Sequence, residues 1–380
     1  MQQNSQSPQK KYHGMVLIAA AAIFTINFFL ISCGLSTEEL ATQTAIAFTA
    51  TAAAWTATPT PTLTSTPTPI PSPTLTPTPI GAGQKSIIYV SQKVAPSAND
   101  EYINNIYKLN LYDISAQPVN LTNSEDVNVG YYYPVWSPDG KWIVFEKYTI
   151  TGVDDELDEL YIMDENGQNI QKLSTVPMLQ GGVRIDSILQ DMFPAWSPDG
   201  TKIAFASNRG SLVTNRYNYQ IFILDLNSFE IKQITHMWSS CLAPSWSPDS
   251  KKIAFMSKQS GDYDIWTINL DGSNQRQVTT NLAADRFPRW SPDGSKILFH
   301  SDRSGNVELF TVFPDGTNLT QITTNPATDA TAQYSPDGNW ILFQSDRDGD
   351  EELYIVSADG VQIIKLTDNN LNDFLGSWQP

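Results

Sequence analysis

The sequence predicts an all-β fold, built from six four-stranded antiparallel sheets between residues 85 and 380. The first observation is a motif, which reads WSPDG at 136–140, 196–200 and 290–294, WSPDS at 246–250 and YSPDG at 334–338. The second is a repeat length that settles at 44 residues. The third is an alternation of apolar residues behind each copy, which is typical of strands. Four strands in such a repeat predict one blade of a six-bladed β-propeller.

The first strand of each repeat runs into an aromatic anchor, and a tight turn follows. The anchors are Trp136, Trp196, Trp246, Trp290, Tyr334 and Trp378, spaced by 60, 50, 44, 44 and 44 residues. In the turn, Pro presets φ, Asp can accept bonds from backbone N–H groups, and Gly tolerates positive φ at the exit. The motif therefore predicts a strand end and a hairpin turn, with the aromatic ring packed between neighbouring sheets.

Columns of apolar residues define the other strands. An isoleucine precedes an aromatic ring by two positions at 87/89, 143/145, 203/205, 253/255, 297/299 and 341/343. The next strand carries Tyr107, Tyr161, Phe222, Trp266, Phe310 and Tyr354, and the last carries Leu121, Leu173, Ile234, Val278, Ile322 and Leu366. Since the repeats begin at Lys85 inside a unit and finish with one lone strand, FLGSWQP (374–380), we expect that strand to join the first blade and close the ring.

Residues 1–33 predict an export and anchoring segment. Two lysines precede 17 apolar or small residues at 15–31, long for a signal core and short for a membrane span. The end of this run, Leu30-Ile31-Ser32-Cys33, resembles the bacterial lipobox, which implies cleavage before Cys33 and lipidation of its thiol. The alternative is an uncleaved single-pass anchor. Both interpretations place the rest of the chain outside the cytoplasm, on a membrane of the bacterial cell envelope.

Residues 34–84 predict an extended stalk. An Ala/Thr-rich piece leads into 56–80, where Pro recurs at nearly every second or third position and no charge occurs. Such a piece cannot form a helix or a sheet ladder and favours polyproline II. At about 3.1 Å per residue it reaches on the order of 80 Å. The stalk would hold the folded part away from the bilayer.

The charge of the chain limits the kinds of partner that it can bind, and its cysteine content indicates whether disulfides stabilise it. The chain has 23 Lys+Arg against 40 Asp+Glu, a formal net charge of −17. This charge repels phosphate backbones and anionic headgroups, so we expect no nucleic-acid partner. Two cysteines in different segments predict no disulfide framework. We expect a monomer that binds a protein or a glycan.

The repeat as a whole resembles a known family. Its W-S-P-D-G, I-x-F, S-x-R-x-G and D-G…L-T string is similar to the repeat of the TolB-type β-propeller, a WD-like repeat of bacterial envelope proteins. The resemblance covers residues 85–380 and implies the propeller fold and an interaction platform. The chain differs from TolB itself because the anchor and the Thr/Pro stalk stand where that family has an N-terminal α/β domain.

The residue five positions before the anchor is a candidate metal ligand. It is Asp191, Asp285, Asp329 and Asp373 in four units, and Tyr131 and Cys241 in the other two. Because the first strands line the channel of a propeller, these carboxylates predict a ring near one mouth. Such a ring could bind a divalent cation such as calcium, or a Lys or Arg of a partner. The alternative is that each Asp caps its own loop.

Each of the other polar features can be interpreted either as a functional site or as part of the fold. The run SDRDGDEE (345–352) is faintly similar to a calcium loop but lacks its final Glu, so a turn is expected. Arg209, Arg303 and Arg347 are expected to form ion pairs between blades, with ligand binding as the alternative. Insertions at 147–159, 176–191 and 207–219 are either candidate binding loops or solvated hairpin extensions. The first insertion carries Asp154, Asp155, Glu156, Asp158 and Glu159.

The sequence offers little for catalysis. It contains no G-x-S-x-G, and the folded part has only His236 and His300. Cys241 is expected to be a buried small hydrophobe. We therefore predict a membrane-anchored, extracytoplasmic binding or scaffold protein and no enzyme. The alternative is a propeller hydrolase or lyase that acts on peptide or polysaccharide.

Overall fold

The computed structural model describes residues 86–95, 102–151, 156–173, 189–209 and 218–380. These ranges fold into 24 β-strands joined by turns and loops, and they contain no helix. Accordingly, no helix within them is long and apolar enough to span a membrane. Cys33, the stalk and most of the insertion at 176–191 lie outside the described residues.

The strands fall into six units of four, and the first strand of each unit carries its anchor. Unit 1 holds β24 (Asn372–Trp378), β1 (Ser86–Val94), β2 (Tyr102–Asn110) and β3 (Val119–Asn120). Unit 2 holds β4 (Val129–Trp136), β5 (Trp142–Ile150), β6 (Glu156–Asp164) and β7 (Gln171–Lys172). Unit 3 holds β8 (Asp191–Trp196), β9 (Lys202–Ser207), β10 (Gln220–Asp225) and β11 (Ile231–Gln233).

Units 4 to 6 follow the same plan. Unit 4 holds β12 (Cys241–Trp246), β13 (Lys252–Ser257), β14 (Asp264–Asn269) and β15 (Arg276–Gln277). Unit 5 holds β16 (Asp285–Trp290), β17 (Ile297–Ser301), β18 (Glu308–Val312) and β19 (Thr320–Gln321). Unit 6 holds β20 (Asp329–Tyr334), β21 (Trp340–Ser345), β22 (Glu352–Ser357) and β23 (Ile363–Lys365).

Units 3 to 6 are separate antiparallel sheets, whereas units 1 and 2 share one sheet of eight strands. A single parallel pair, Asn104 with Gly130, joins β2 to β4. The C-terminal strand β24 pairs antiparallel with β1, so that Trp378 stands opposite Ile87. The last strand thus completes the unit that contains the first three.

The anchor strands are neighbours in space. Contacts run from β4 to β8, β12, β16, β20 and β24, and β24 also contacts β4. The anchor strands of all six units therefore lie next to one another in sequence order.

The apolar core lies between successive units. Ile253 and Phe255 of unit 4 pack with Ile221 of unit 3, and Tyr89 of unit 1 packs with Leu342 of unit 6. The predicted Ile-x-aromatic column is confirmed, because all six isoleucines are fully buried and the six rings are at most 2% exposed. Burial of each such side chain stabilises the fold by about 1.5–3 kcal/mol.

The SPDG turns have the predicted geometry, as the first copy illustrates. Gly140 has φ of +68°, and its N–H donates to the carbonyl of Ser137 at 2.9 Å. The Ser137 hydroxyl donates to Asp139 at 2.7 Å and accepts the Trp142 N–H at 2.9 Å. The serine thus ties the turn to the next strand, a role that the sequence pattern alone does not reveal.

Candidate functional site

Every anchor strand contains a β-bulge three residues before the anchor. The register of each anchor strand shifts there, and the residue at the bulge has φ between +48° and +55°. The six residues are Tyr133, Phe193, Ala243, Phe287, Thr331 and Leu375. None is Gly, so the surrounding structure must hold a conformation that L-residues avoid. A bulge re-aims the side chain that it carries.

Three bulged residues meet as an aromatic cluster. The ring of Tyr133 lies 4.5 Å from that of Phe193 and 6.2 Å from that of Phe287, measured between centroids. Phe193 and Phe287 are 5.8 Å apart in an edge-on arrangement. Because the three rings come from units 2, 3 and 5, they bring together strands far apart in sequence.

A side chain of the preceding unit holds the bulge in three places. The N–H of Phe193 donates to Glu146 Oε2 at 3.1 Å, that of Thr331 to His300 Nδ1 at 3.2 Å, and that of Leu375 to Gln344 Oε1 at 3.3 Å. The acceptors occupy the same repeat position, directly after the core aromatic. Burial lowers the pKa of His300 to about 3, so this imidazole is neutral at pH 7.

Glu146 also contacts a second buried carboxyl group, Asp158. Burial, and then the nearby Asp158, raises the pKa of Glu146 well above its usual value, while burial raises that of Asp158 to about 6. Asp158 in turn accepts a hydrogen bond from the Gln190 amide at 3.0 Å. A protonated Glu146 can donate a hydrogen bond to Asp158 while its other oxygen accepts the hydrogen bond from the Phe193 N–H.

A cavity of about 350 Å³ lies at the ends of the anchor strands, where all six aromatic anchors line it. The residue directly before each anchor also lines it, and these six residues are Val135, Ala195, Ser245, Arg289, Gln333 and Ser377. Tyr133 and Phe287 of the aromatic cluster form part of the wall. The volume lies in the range of small-ligand sites.

Among the described residues that line this cavity, only Arg289 has a charged side chain. Within the described part of the chain, its guanidinium has one hydrogen-bond partner, the carbonyl of its neighbour Pro288 at 3.1 Å, and no carboxylate within ion-pair distance. Burial lowers the pKa of Arg289 to about 10, and the nearby Tyr133 opposes that shift. The group therefore remains a cation at pH 7, without a counter-ion.

The four predicted aspartates are all fully buried, and three of them pair with the arginines. Arg209 contacts Asp191 at 2.6 Å, Arg303 contacts Asp285 at 2.6 Å, and Arg347 contacts Asp329 at 2.9 Å. Each pair lies inside one unit, so the expectation of ion pairs between units was wrong. Each arginine lies two residues beyond the end of the strand that pairs with the aspartate's own strand.

These arginines also cover the core aromatics. Arg303 lies 5.2 Å from the ring centre of Phe299 and 5.0 Å from that of Phe310, and the other two arginines repeat the arrangement. Within the described ranges, no three His, Cys, Asp or Glu side chains come together in a group that could hold a metal ion. The structure therefore does not gather the four carboxylates into one ring of ligands.

Asp373 lacks an arginine partner. Lys93 occupies the equivalent slot, and it pairs with Glu125 at 2.9 Å instead. The amide of Asn369 donates to Asp373 at 2.7 Å, and burial raises the pKa of this carboxyl group. Hydrogen bonds of the loop-capping kind thus hold this aspartate, as they also support Asp285 through Asn281 at 2.9 Å.

A signal in the sequence could have revealed the ion pairs. Units 3, 5 and 6 carry both Asp and Arg, whereas unit 4 has Cys241 with Gln259 and unit 2 has Tyr131 with Thr149. In these five units the two residue types are present or replaced together, whereas unit 1 keeps Asp373 with Lys93 in the arginine position. Joint replacement is what a direct contact requires, because an unpaired buried carboxylate is costly.

The remaining candidates serve the fold. In the 345–352 run, Asp346 accepts the Thr328 N–H at 2.7 Å and Asp348 accepts the Tyr354 hydroxyl at 2.8 Å, which confirms a turn. Cys241 is a buried free thiol, as expected, and burial raises its pKa to about 12.

The acidic insertion at 147–159 is in part regular structure. Its carboxylates at 156, 158 and 159 lie on β6, whereas Asp154 and Asp155 fall outside the described residues. This supports the hairpin extension over a binding loop for the part that is described.

Four-stranded antiparallel sheets with their cores between successive units define the class of this protein, an all-β propeller. Residues 149–318 match the TolB beta propeller domain family. Over those residues the chain resembles the TolB-type β-propeller. No curated protein sequence matches the chain.

Solved structures share this fold at low sequence identity. TolB from Acinetobacter baumannii is 20% identical, with a TM-score of 0.60 over 78% of this chain and 67% of its own. A putative TolB from Agrobacterium tumefaciens is 20% identical, with a TM-score of 0.55 over 78% of this chain and 99% of its own. A puromycin-hydrolyzing peptidase from Mycobacterium tuberculosis is 16% identical, with a TM-score of 0.50 over 73% and 44%. At these identities the likeness concerns the fold alone.

Proposed function

We propose that the six units close into a ring as six blades and present a binding surface for another protein. The pairing of β24 with β1 and the contact of β24 with β4 support the closed ring. The observation that carries the function is the cavity at the anchor end, to which all six units contribute. Rings and prolines make its wall apolar, and such surfaces suit a peptide segment with large side chains.

A cavity-filling variant tests this assignment. Ala195 lines the cavity, so Ala195→Phe should block entry, whereas Gln171→Phe on the exposed strand β7 adds the same ring elsewhere. Random-sequence peptides would be selected on the purified full-length chain and titrated by fluorescence anisotropy. We expect Ala195→Phe to abolish binding and Gln171→Phe to preserve it. Equal binding by both variants would place the surface somewhere other than the cavity.

We also propose that the chain is held on the extracytoplasmic side of a bacterial membrane. The basic start, the apolar run and the lipobox-like end at Cys33 support this, and the Thr/Pro stalk suits a presented binding head. Metabolic labelling with a radioactive fatty acid should mark the wild type and leave Cys33→Ala unlabelled. Absence of label in the wild type would favour the uncleaved anchor.

The buried aspartates are proposed to fasten strands, with no part in calcium binding. Three of them already have a guanidinium partner, and no metal group forms among the described residues. A cation that binds the folded state raises the melting temperature by mass action. We therefore expect no shift with millimolar calcium. A saturable rise that Asp373→Asn removes would restore the predicted site.

A hydrolase or lyase acting on peptide or polysaccharide is the second candidate. It is favoured by Glu146 and Asp158, neighbouring carboxyl groups whose pKa values are both raised and which lie near Tyr133 of the cavity wall. Raised carboxyl pKa values suit general acid–base chemistry. Turnover of peptide or polysaccharide that Glu146→Gln abolishes would establish it, and an unchanged substrate after prolonged incubation would exclude it for the substrates used.

A further inference from the structure

We infer that Arg289 recognises a single carboxylate on an otherwise apolar peptide segment that enters the cavity. This inference rests on the proposed function, since it names the chemistry that the same cavity selects. It concerns a residue outside every motif of the repeat, because the position before the anchor follows no shared pattern.

The first argument is the missing counter-ion. Three other arginines of the propeller, Arg209, Arg303 and Arg347, each pair with a buried aspartate. Arg289 has only the carbonyl of Pro288 among the described residues. Arg289 is half-buried, and a cation that is partly removed from water without an anionic partner is unfavourable. A ligand carboxylate would supply that partner, and a guanidinium binds one through two parallel N–H···O bonds.

The second argument is that the other described side chains lining the cavity are uncharged. The five equivalent positions in the other units are Val135, Ala195, Ser245, Gln333 and Ser377. A low-dielectric wall strengthens the attraction between Arg289 and an anion relative to bulk water. Arg289 thus places one positive charge in the cavity of a chain whose net charge is −17.

The contrast between the positive charge of Arg289 and the negative net charge of the chain favours a ligand with few charges. The surrounding negative field repels polyanions, so a segment with one carboxylate can approach where a densely acidic one cannot. The wall also offers few polar side chains, mainly Ser245, Thr331, Gln333 and Ser377. A sugar would leave many hydroxyl groups unpaired against Trp and Pro, which costs free energy for each group. An apolar peptide with one carboxylate avoids both penalties.

Matched peptide pools test the inference with the purified full-length chain. One pool carries a free C-terminal carboxylate and no acidic side chain, a second carries a C-terminal amide and one central Glu, and a third carries an amide and no acid. We expect the first or the second pool to bind roughly 10- to 100-fold more tightly than the third. Which of the two binds distinguishes a chain terminus from a side chain.

Two variants assign the preference to Arg289. Arg289→Gln keeps donors but removes the charge, and it should make all pools bind alike, while Arg289→Lys should restore part of the preference. We expect Arg289→Gln to fold, with a raised melting temperature, because it removes an unpaired cation. The control Lys93→Gln removes a cation that lies outside the cavity lining, and it should leave the affinity for all three pools unchanged.

The possible results distinguish a failure of the inference about Arg289 from a failure of the proposed peptide binding. Equal binding of all three pools to the wild type, or a preference that survives Arg289→Gln, overturns the role of Arg289 while leaving peptide binding in place. Binding of every pool that is insensitive to Ala195→Phe overturns both. Binding of acidic oligosaccharide that Arg289→Gln abolishes, with no peptide bound, would replace the peptide by a sugar acid and contradict the inference.

Discussion

At the scale of single residues, one repeat position decides how a bulged strand is held by the unit before it. Glu146, His300 and Gln344 all accept the backbone N–H of a residue with positive φ in the next unit. A carboxyl group, an imidazole and an amide thus accept the equivalent backbone hydrogen bond. Only the amide can do so at every pH, so the other two make stability depend on pH.

His300 should destabilise the protein in acid. Its folded pKa is lowered to about 3, so between the ordinary value of 6.5 and 3 the unfolded chain binds a proton that the folded chain does not. Stability therefore falls as pH falls through this window, by at most about 1.4 kcal/mol per pH unit. His300→Gln, which copies Gln344, should flatten this part of the curve in urea melts from pH 7 to 4. An unchanged slope would contradict the assignment.

Glu146 should make the protein less stable as the pH rises, which is the opposite of the effect of His300. Its folded pKa is raised, so above the ordinary value of 4.5 the unfolded chain ionises while the folded one keeps its proton, and stability falls as pH rises. In Glu146→Gln the amide oxygen can accept the Phe193 N–H and the amide nitrogen can donate to Asp158. We expect this variant to gain stability at pH 8 relative to pH 5. Loss of stability at both pH values would show that Glu146 is ionised in the fold.

The bulges themselves could not be predicted from the sequence. Positive φ usually shows as Gly or Asn, but here Tyr, Phe, Ala, Thr and Leu adopt it. Tertiary hydrogen bonds such as that of Thr331 to His300 hold the conformation, and these cross between units. Arg289 was missed for a related reason, because its position becomes meaningful only when the lining of the cavity is known.

At the scale of elements, the Asp–Arg pair fastens the start of an anchor strand to its neighbour. Asp285 is fully buried and Arg303 lies between it and two aromatic rings. The pair adds charge-assisted hydrogen bonds to a cation–π contact. Such a pair is costly to break from one side, because the remaining charge stays buried.

The chain supplies its own control for this pair. Asp285→Cys alone should cost about 3–5 kcal/mol, since it leaves Arg303 without a counter-ion. The double change Asp285→Cys with Arg303→Gln copies Cys241 and Gln259 of unit 4 and should cost clearly less. Denaturant unfolding of the two single variants and the double variant measures the coupling. Additive losses would show that the two side chains do not depend on each other.

Strands and turns were predictable because every repeat places the same residue types in the same surroundings. The Ile-x-aromatic column and the SPDG turn both carry a local signal, a period of two and a Pro-Asp-Gly order. The Asp and Arg columns were each visible, but their pairing was not, because the two residues lie 18 positions apart, one on a strand and the other just after the neighbouring strand. Comparing which units lack both would have joined them.

At the scale of the whole molecule, the core belongs to the contacts between units. Trp378 of the last strand packs in a cluster with Ile87 and Tyr89 of unit 1 and with Leu342 of unit 6. The C-terminal strand thereby connects the two ends of the repeat array. Loss of its side chain should therefore weaken the whole propeller, since no sheet buries its apolar face alone.

Trp378→Ala tests that dependence. We expect a loss of about 3–5 kcal/mol in urea unfolding, the usual cost of deleting a buried Trp. Trp238→Ala removes a ring that is 71% exposed and should change stability by less than about 0.5 kcal/mol. A small effect of Trp378→Ala would mean that the propeller does not depend on the packing of the last strand.

The most direct test of the account is whether a ligand occupies the cavity where the six anchors meet. Five of the ten tryptophans of the chain are anchors that line the cavity, so the part of the acrylamide quenching that a ligand changes reports access to this space. We predict that saturating carboxylate-bearing peptide protects the wild-type fluorescence from quenching and that Arg289→Gln loses the protection at the same peptide concentration. Peptide binding without any change in quenching would show that the cavity is not the binding site.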